Sequence, residues 1–245
     1  MKKHTAKALF CSLMLAVALT VFPIISGVII AINKIDMIQG YIIQGAFMML
    51  SLLIPVVFMR IRHITPRKIG FRRMEKGSGK IVLCFLPLVV SKAGFLFFGV
   101  NHDIHAIIAL VFFTCAIGLS EEIYFRGLIL KELETCFTVK KTVILSSVLF
   151  AAVHFAQAFS GSSLPMVLLG ILNAFIFGIV AAEIAITTKS IIVIIIWHTL
   201  FDFVNWISLV QETGELVLIV IQSLIMIAYA VYLWTKLPNK HEHRI

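Results

Sequence analysis

Apolar residues run through this chain in long stretches, each closed by a short polar segment, most of them carrying Lys or Arg. A helix needs about 20 apolar residues to cross a hydrocarbon core of about 30 Å. Eight stretches meet or approach that length: 8–32, 38–59, 81–100, 104–126, 142–159, 165–186, 190–209 and 215–235. The fifth is short, and the fourth carries charges near its end. The pattern predicts an all-α fold, a polytopic membrane helix bundle with about eight transmembrane helices. The first stretch follows a basic segment, as in a signal peptide. Its apolar run is too long for one and no clean A-x-A site follows, so a retained first helix is expected.

Loop charge sets the expected orientation. Segments 1–7, 60–80, 127–141, 187–189 and 236–245 hold 18 of the 21 Lys and Arg residues. The other segments between helices hold only Lys34, while Lys92 and Arg126 fall inside apolar stretches. The positive-inside rule then places both termini in the cytoplasm. Segment 60–80 is the main basic anchor, with a possible second use in drawing in anionic lipid or substrate. Three regions follow: 1–103, the N-terminal helices and basic loop; 104–209, a helical core that holds the unusual polar residues; and 210–245, the last helix and tail.

Composition narrows the partners. A 60% hydrophobic chain with mean hydropathy +1.05 excludes an ordinary soluble domain. Its net charge of +9 sits between apolar runs and leaves no basic soluble face for nucleic acid, so the expected partner is the lipid bilayer. Cys11, Cys84, Cys115 and Cys136 form no CxxC pair and read as small buried hydrophobes. Small residues at Gly170, Ala174, Gly178 and Ala182, each four apart, form a stripe for close helix packing. On the same helix, Asn173 suits an interhelical hydrogen bond, and Glu183 lies close enough to the cytoplasmic end to reach water.

Charge inside the apolar stretches points to chemistry. Glu121, Glu122 and Arg126 lie within AIGLSEEIYFRGLIL. A charged side chain at the centre of a membrane helix costs about 2.5–3.5 kcal/mol by insertion scales. Glu122 and Arg126 are four apart and can pair. Glu121 is rotated by about 100° and faces another partner. A weakly hydrated carboxylate is suited to take a proton from water as a general base. The competing reading is a buried ion-pair network that only fixes packing. His154 stands one helical turn after Phe150, and His198, Asp202 and Asn205 lie near one face of another helix. At 1.5 Å per residue, Glu121 is expected ~24 Å from the outer side, His154 ~18 Å deep and His198 ~12 Å from the cytoplasmic side. These depths predict a polar cavity that faces the cytoplasm. His102 and His105, beside Asp103, read as interfacial.

At these residues the chain resembles a known family. EEIYFR (121–126) matches the EExxxR motif of the CPBP or Abi family of intramembrane proteases, which includes the CAAX prenyl endopeptidases. FAAVH (150–154) matches its FxxxH motif, and HTLFD (198–202) stands where the family has HxxxN or a close variant. The resemblance spans roughly 104–209 and implies a helical core that hydrolyses a peptide bond of a peptide or membrane-associated protein. It implies Glu121 as the activator of water, with Glu122 and Arg126 shaping the site. It gives His154 and His198 the tasks of orienting water or stabilising the oxyanion, with Asp202 assisting. Asp202 replaces the usual Asn and cannot donate when ionised. It could instead orient His198 through a ring N–H, with Asn205 supplying an amide.

Cofactor use stays open: members are often called metalloproteases, and Glu121, His154 and His198 would make a zinc set, but no HExxH is present and water activated by glutamate alone fits the same residues. The short, basic, loop-poor chain fits a multi-pass protein of a bacterial cell membrane, where processing of a signalling-peptide or bacteriocin precursor, or bacteriocin immunity, suits the setting. Two rival readings are a proton-coupled transporter and a non-catalytic immunity or binding protein.

Overall fold

The computed structural model describes residues 2–83, 86–155 and 163–238. Cys84 and the end of the fifth expected stretch, 156–159, lie outside them. All eight expected stretches are helical where described. In chain order the elements are α1 (Lys2–Asn33), α2 (Met37–Ser51), α3 (Leu53–Ile61), α4 (Gly79–Leu83), α5 (Leu86–Ala93) and a 3-10 turn (Gly94–Phe98). There follow α6 (Ile104–Glu122), a π segment (Ile123–Ile129), α7 (Leu130–Glu134), α8 (Val139–Val153), α9 (Leu164–Thr188), α10 (Ile192–Ile207) and α11 (Glu212–Trp234). Among the described residues the only β pairing is an isolated bridge between Val100 and Ser208.

Among the described residues six helical spans are long and apolar enough to cross a membrane, and α10 is a shorter apolar helix. The fifth stretch yields α8, 15 residues long, or about 22 Å. Large apolar side chains cover the outside of the bundle, including Phe10, Ile32, Leu53, Phe97 and Val231. The protein is a multi-pass membrane protein, and its outer surface is apolar because lipid is its solvent. Cysteine shows the consequence: Cys115 is exposed and Cys11 and Cys136 are only half-buried, because an apolar residue need not turn inward here.

The second stretch is a broken rod, and a proline explains the break. Pro55 has no N–H to give to the carbonyl of Ser51, so the helix is interrupted between α2 and α3. The released Ser51 carbonyl accepts a hydrogen bond of 2.9 Å from the Tyr124 hydroxyl. The fourth stretch departs the other way. Instead of ending near 126 it runs through the π segment to Glu134, so Glu121 lies about 13 residues, ~20 Å, from that end. The π segment is the centre of the bundle: Tyr124, Phe125, Leu128, Ile129 and Leu130 are at most 1% exposed.

The basic segments gather at one end. His4 Nδ1 lies 3.0 Å from Cys136 Sγ, Arg62 pairs with Glu132 at 3.5 Å, and Lys189 pairs with Glu75 at 3.1 Å. At the opposite end Asn101 N donates to Ile207 O at 2.9 Å and Leu209 N to Gly99 O at 3.0 Å. His102 and His105 are exposed there, and Asp103 caps α6 by accepting from His105 N at 2.9 Å.

The small-residue stripe packs as expected. A Cβ on Gly178 would stand 3.1 Å from Ser147 Cα of α8, and Asn173 donates to Ser223 Oγ of α11 at 3.0 Å. Glu183 does not reach water: it is fully buried. The expectation treated the helix end as open, whereas α8 and α11 both pack along α9.

Close approach also joins α6 to α10. A Cβ on Gly118 would meet Thr199 Oγ1 at 2.6 Å and the backbone of Ile195 and Thr199 at 3.1 Å. Gly118→Val is expected to lower stability by about 1–3 kcal/mol, the range for overpacking, read as a fall in unfolding temperature of the detergent-purified protein.

Candidate active site

Three rods carry the polar cluster. Glu121 and Glu122 are the last residues of α6, Arg126 lies one turn on in the π segment, and His198 and Asp202 are one turn apart on α10. Single-turn π bulges inside helices frequently mark functional sites. This one follows immediately after the two carboxylates.

Glu122 is the hub. Its Oε1 accepts from Arg126 Nη1 at 3.2 Å and from His198 Nδ1 at 2.7 Å. All three side chains are at most 5% exposed, so each charge must find its partner inside the protein. Arg126 Nη2 lies 3.4 Å from the carbonyl of Gly178. Its guanidinium stands over the Phe150 ring at 4.2 Å and lies 5.7 Å from Phe177. A desolvated cation–π contact contributes about 2 kcal/mol. Phe150, the first residue of FAAVH, thus holds the arginine. Sequence reasoning noted it only as a motif match.

Glu121 is held differently. Its Oε2 lies 3.8 Å from His198 Nε2 and has no hydrogen-bond partner among the described residues. Asp202 Oδ2 lies 3.5 Å from the same Nε2. The His198 ring therefore donates through Nδ1 to Glu122 and turns its other nitrogen toward two carboxylates. The orienting hydrogen bond expected from Asp202 is supplied by Glu122. The side chains of Glu121 and Asp202 are 16% and 21% exposed, so neither is sealed in.

His154 closes α8 as its C-cap, and Nδ1 contacts Phe150 O at 2.8 Å. It shares the Phe150 ring with His198, at centroid separations of 4.7 Å and 6.1 Å. The structure thus brings Glu121, Glu122, Arg126, His198 and Asp202 into one cluster, with His154 at its edge. Glu121, His154 and His198 do not form a metal-ligating set: among the described residues no three His, Cys, Asp or Glu side chains do.

Two further residues belong to the same region. Lys92 of α5, 5% exposed, donates to Asn205 Oδ1 at 3.0 Å and stands over the Phe95 and Phe201 rings at 4.0 and 3.9 Å. Asn205 Nδ2 lies 3.4 Å from Glu215 Oε1. The Asn205 amide is thereby engaged toward α5 and α11, not toward His198. Lys92 could have been found by its sequence signal, a lysine inside an apolar stretch, which is as unusual there as the glutamate pair.

A cavity of about 430 Å³ opens at the basic end, but its lining reaches Arg126 and not Glu121, His198 or Asp202. The longer inward run of the motif helix accounts for this, because it sets the carboxylates deeper than its expected end near 126 allows.

Residues 103–204 match the family model described as Type II CAAX prenyl endopeptidase Rce1-like. All three motifs lie inside that segment, which therefore matches the CPBP/CAAX protease family and supports protease activity. No curated protein matches the chain.

Removing one member of the buried pair leaves the other charge stranded. Arg126→Ala is expected to lower stability by about 3–5 kcal/mol. Adding Glu122→Gln to it should restore part of that loss, measured by thermal unfolding in detergent.

Proposed function

We propose that the protein is an intramembrane endopeptidase that hydrolyses a peptide bond of a membrane-held peptide or protein by way of a glutamate-activated water. The observation that carries this reading is the unequal condition of the two adjacent carboxylates. Glu122 is sealed from water and its Oε1 is held by Arg126 and His198, although its Oε2, like that of the 16% exposed Glu121, has no hydrogen-bond partner among the described residues. Glu121 keeps an unpaired Oε2 and stands 3.8 Å from His198 Nε2. That separation is longer than a hydrogen bond, so Glu121 is not committed to the imidazole.

In this mechanism Glu121 takes a proton from the water as oxygen attacks the scissile carbonyl, and returns it to the leaving amine. His198, fixed by Glu122, orients the water or donates from Nε2 to the developing oxyanion. Asp202 faces the same nitrogen at 3.5 Å. His154 supports the edge of the site. Arg126 acts through Glu122 and is a positioning residue. No step passes through a metal ion, since the described side chains offer no ligand set.

The positive-inside rule places the basic end in the cytoplasm. Glu121, ~20 Å from that end of its helix, then sits within the bilayer. The matched family is named for prenylated CAAX sequences, whereas this reading asks only that the peptide be held at the membrane. A precursor of a secreted peptide or bacteriocin in a bacterial cell membrane is the substrate class that suits a short, loop-poor chain.

Glu121→Gln keeps the shape and removes the base. Its turnover is expected to fall by about 10²–10⁴-fold, the usual range for general acid–base catalysis, with the unfolding temperature unchanged. The measurement is whole-cell peptidomics on a deletion strain complemented with wild type or the variant. A precursor that accumulates in the deletion and in the glutamine strain, and that wild type clears, supports proteolysis. Wild-type clearance by Glu121→Gln overturns it.

A further inference from the structure

The cavity at the basic end has a composition that proteolysis does not explain. Six of its lining residues are cationic: Arg67, Lys68, Arg72, Arg126, Lys131 and Lys189. No carboxylate lines it. Lys131 is answered by Glu134 at 2.8 Å and Lys189 by Glu75 at 3.1 Å, both from outside the lining. Arg67, Lys68 and Arg72 have no ion pair among the described residues, so the cavity carries an uncompensated positive charge.

The walls are built rather than loose. Ile191 N donates to Gly70 O at 3.0 Å, Ser190 Oγ to Arg72 O at 2.6 Å, and Glu75 N to Thr188 O at 3.0 Å, which clips segment 70–75 onto the connection between α9 and α10. Gly70 makes the turn at φ +95°, and a Cβ there would stand 3.0 Å from Ile191 Cγ2. Arg126 closes the inner end of the lining with its side chain sealed, Nη1 on Glu122 Oε1 and Nη2 on Gly178 O. A built cup lined by the unpaired Arg67, Lys68 and Arg72 is a phosphate-binding arrangement. Its volume, about 430 Å³, falls in the range of small-ligand pockets.

We infer that this cavity binds the phosphate group of an anionic phospholipid headgroup. The surroundings favour lipid as the source. The cavity lies just beyond α3, whose Leu53, Val56, Val57 and Ile61 present an exposed apolar face along which acyl chains can run. Positive charge at a helix end meets the anionic headgroups of the cytoplasmic leaflet there. Because Arg126 is shared by the cavity and Glu122, a bound phosphate would also bear on the carboxylate–imidazole cluster. The binding claim itself is independent of whether that cluster hydrolyses peptides.

The test uses the purified full chain in uncharged detergent, titrated with dioctanoyl phosphatidylglycerol, dioctanoyl phosphatidylcholine or inorganic phosphate, and read by unfolding temperature. The triple variant Arg67→Gln, Lys68→Gln, Arg72→Gln is compared with Lys140→Gln, Lys141→Gln, Lys236→Gln, which removes equal charge from the same end outside the cavity. Phosphatidylglycerol should stabilise wild type and the second variant alike, while the first requires roughly 100-fold more. Arg67→Gln alone, at an exposed and unpaired residue, should show a graded loss and serves if the triple variant does not fold. Competition by inorganic phosphate supports a site that reads phosphate itself. Stabilisation by the lipid with phosphate inert supports a site that also needs the glycerolipid. Equal weakening in both triple variants, or equal effects of the two lipids on wild type, overturns the inference.

Discussion

Glu122 is the constraint around which the rest is arranged. A carboxylate fully removed from water inside a membrane bundle survives only with partners, and it has a guanidinium on its own helix and an imidazole on another. Satisfying Glu122 fixes Arg126, which is held in turn by the Phe150 ring and a backbone carbonyl of α9. Satisfying it through His198 locks α10 against α6, which Gly118 permits by leaving room for Thr199. Four rods are thus referred to one oxygen atom. The unpaired carboxylate beside it gains its position without contributing to the lock.

Much of this was legible in the chain. In lipid every backbone polar group must be satisfied within its own rod, so apolar length alone marks the helices. The cost of intramembrane charge marked Glu121, Glu122 and Arg126, and their spacing gave the Glu122–Arg126 pair. What the sequence hid depends on tertiary partners. Helical periodicity assumes the α geometry, so a π segment at 123–129 is invisible to it, and so is the inward run of the helix to Glu134. Glu183 read as near the surface because a helix end says nothing about its neighbours. Asn205 read as an amide for the site until Lys92 and Glu215 claimed it.

The break in the second rod serves the same centre. Pro55 denies the Ser51 carbonyl its helical donor, and Tyr124, two residues after Glu122, supplies one instead. A fault in one helix is thereby turned into a fixed attachment for the helix that carries the carboxylates. The basic end is held in a similar way, with the connection after α9 clipped to segment 70–75 by backbone hydrogen bonds and a serine.

The His198 ring has two nitrogens and three acidic neighbours. Nδ1 is committed to Glu122 at 2.7 Å, which leaves Nε2 facing Glu121 at 3.8 Å and Asp202 at 3.5 Å. One N–H vector cannot point at both oxygens, so the ring stands at a fork with a single proton to direct. The Asp202 branch lies within α10, whereas the Glu121 branch crosses from α10 to α6, so only the second depends on how those two helices are held together.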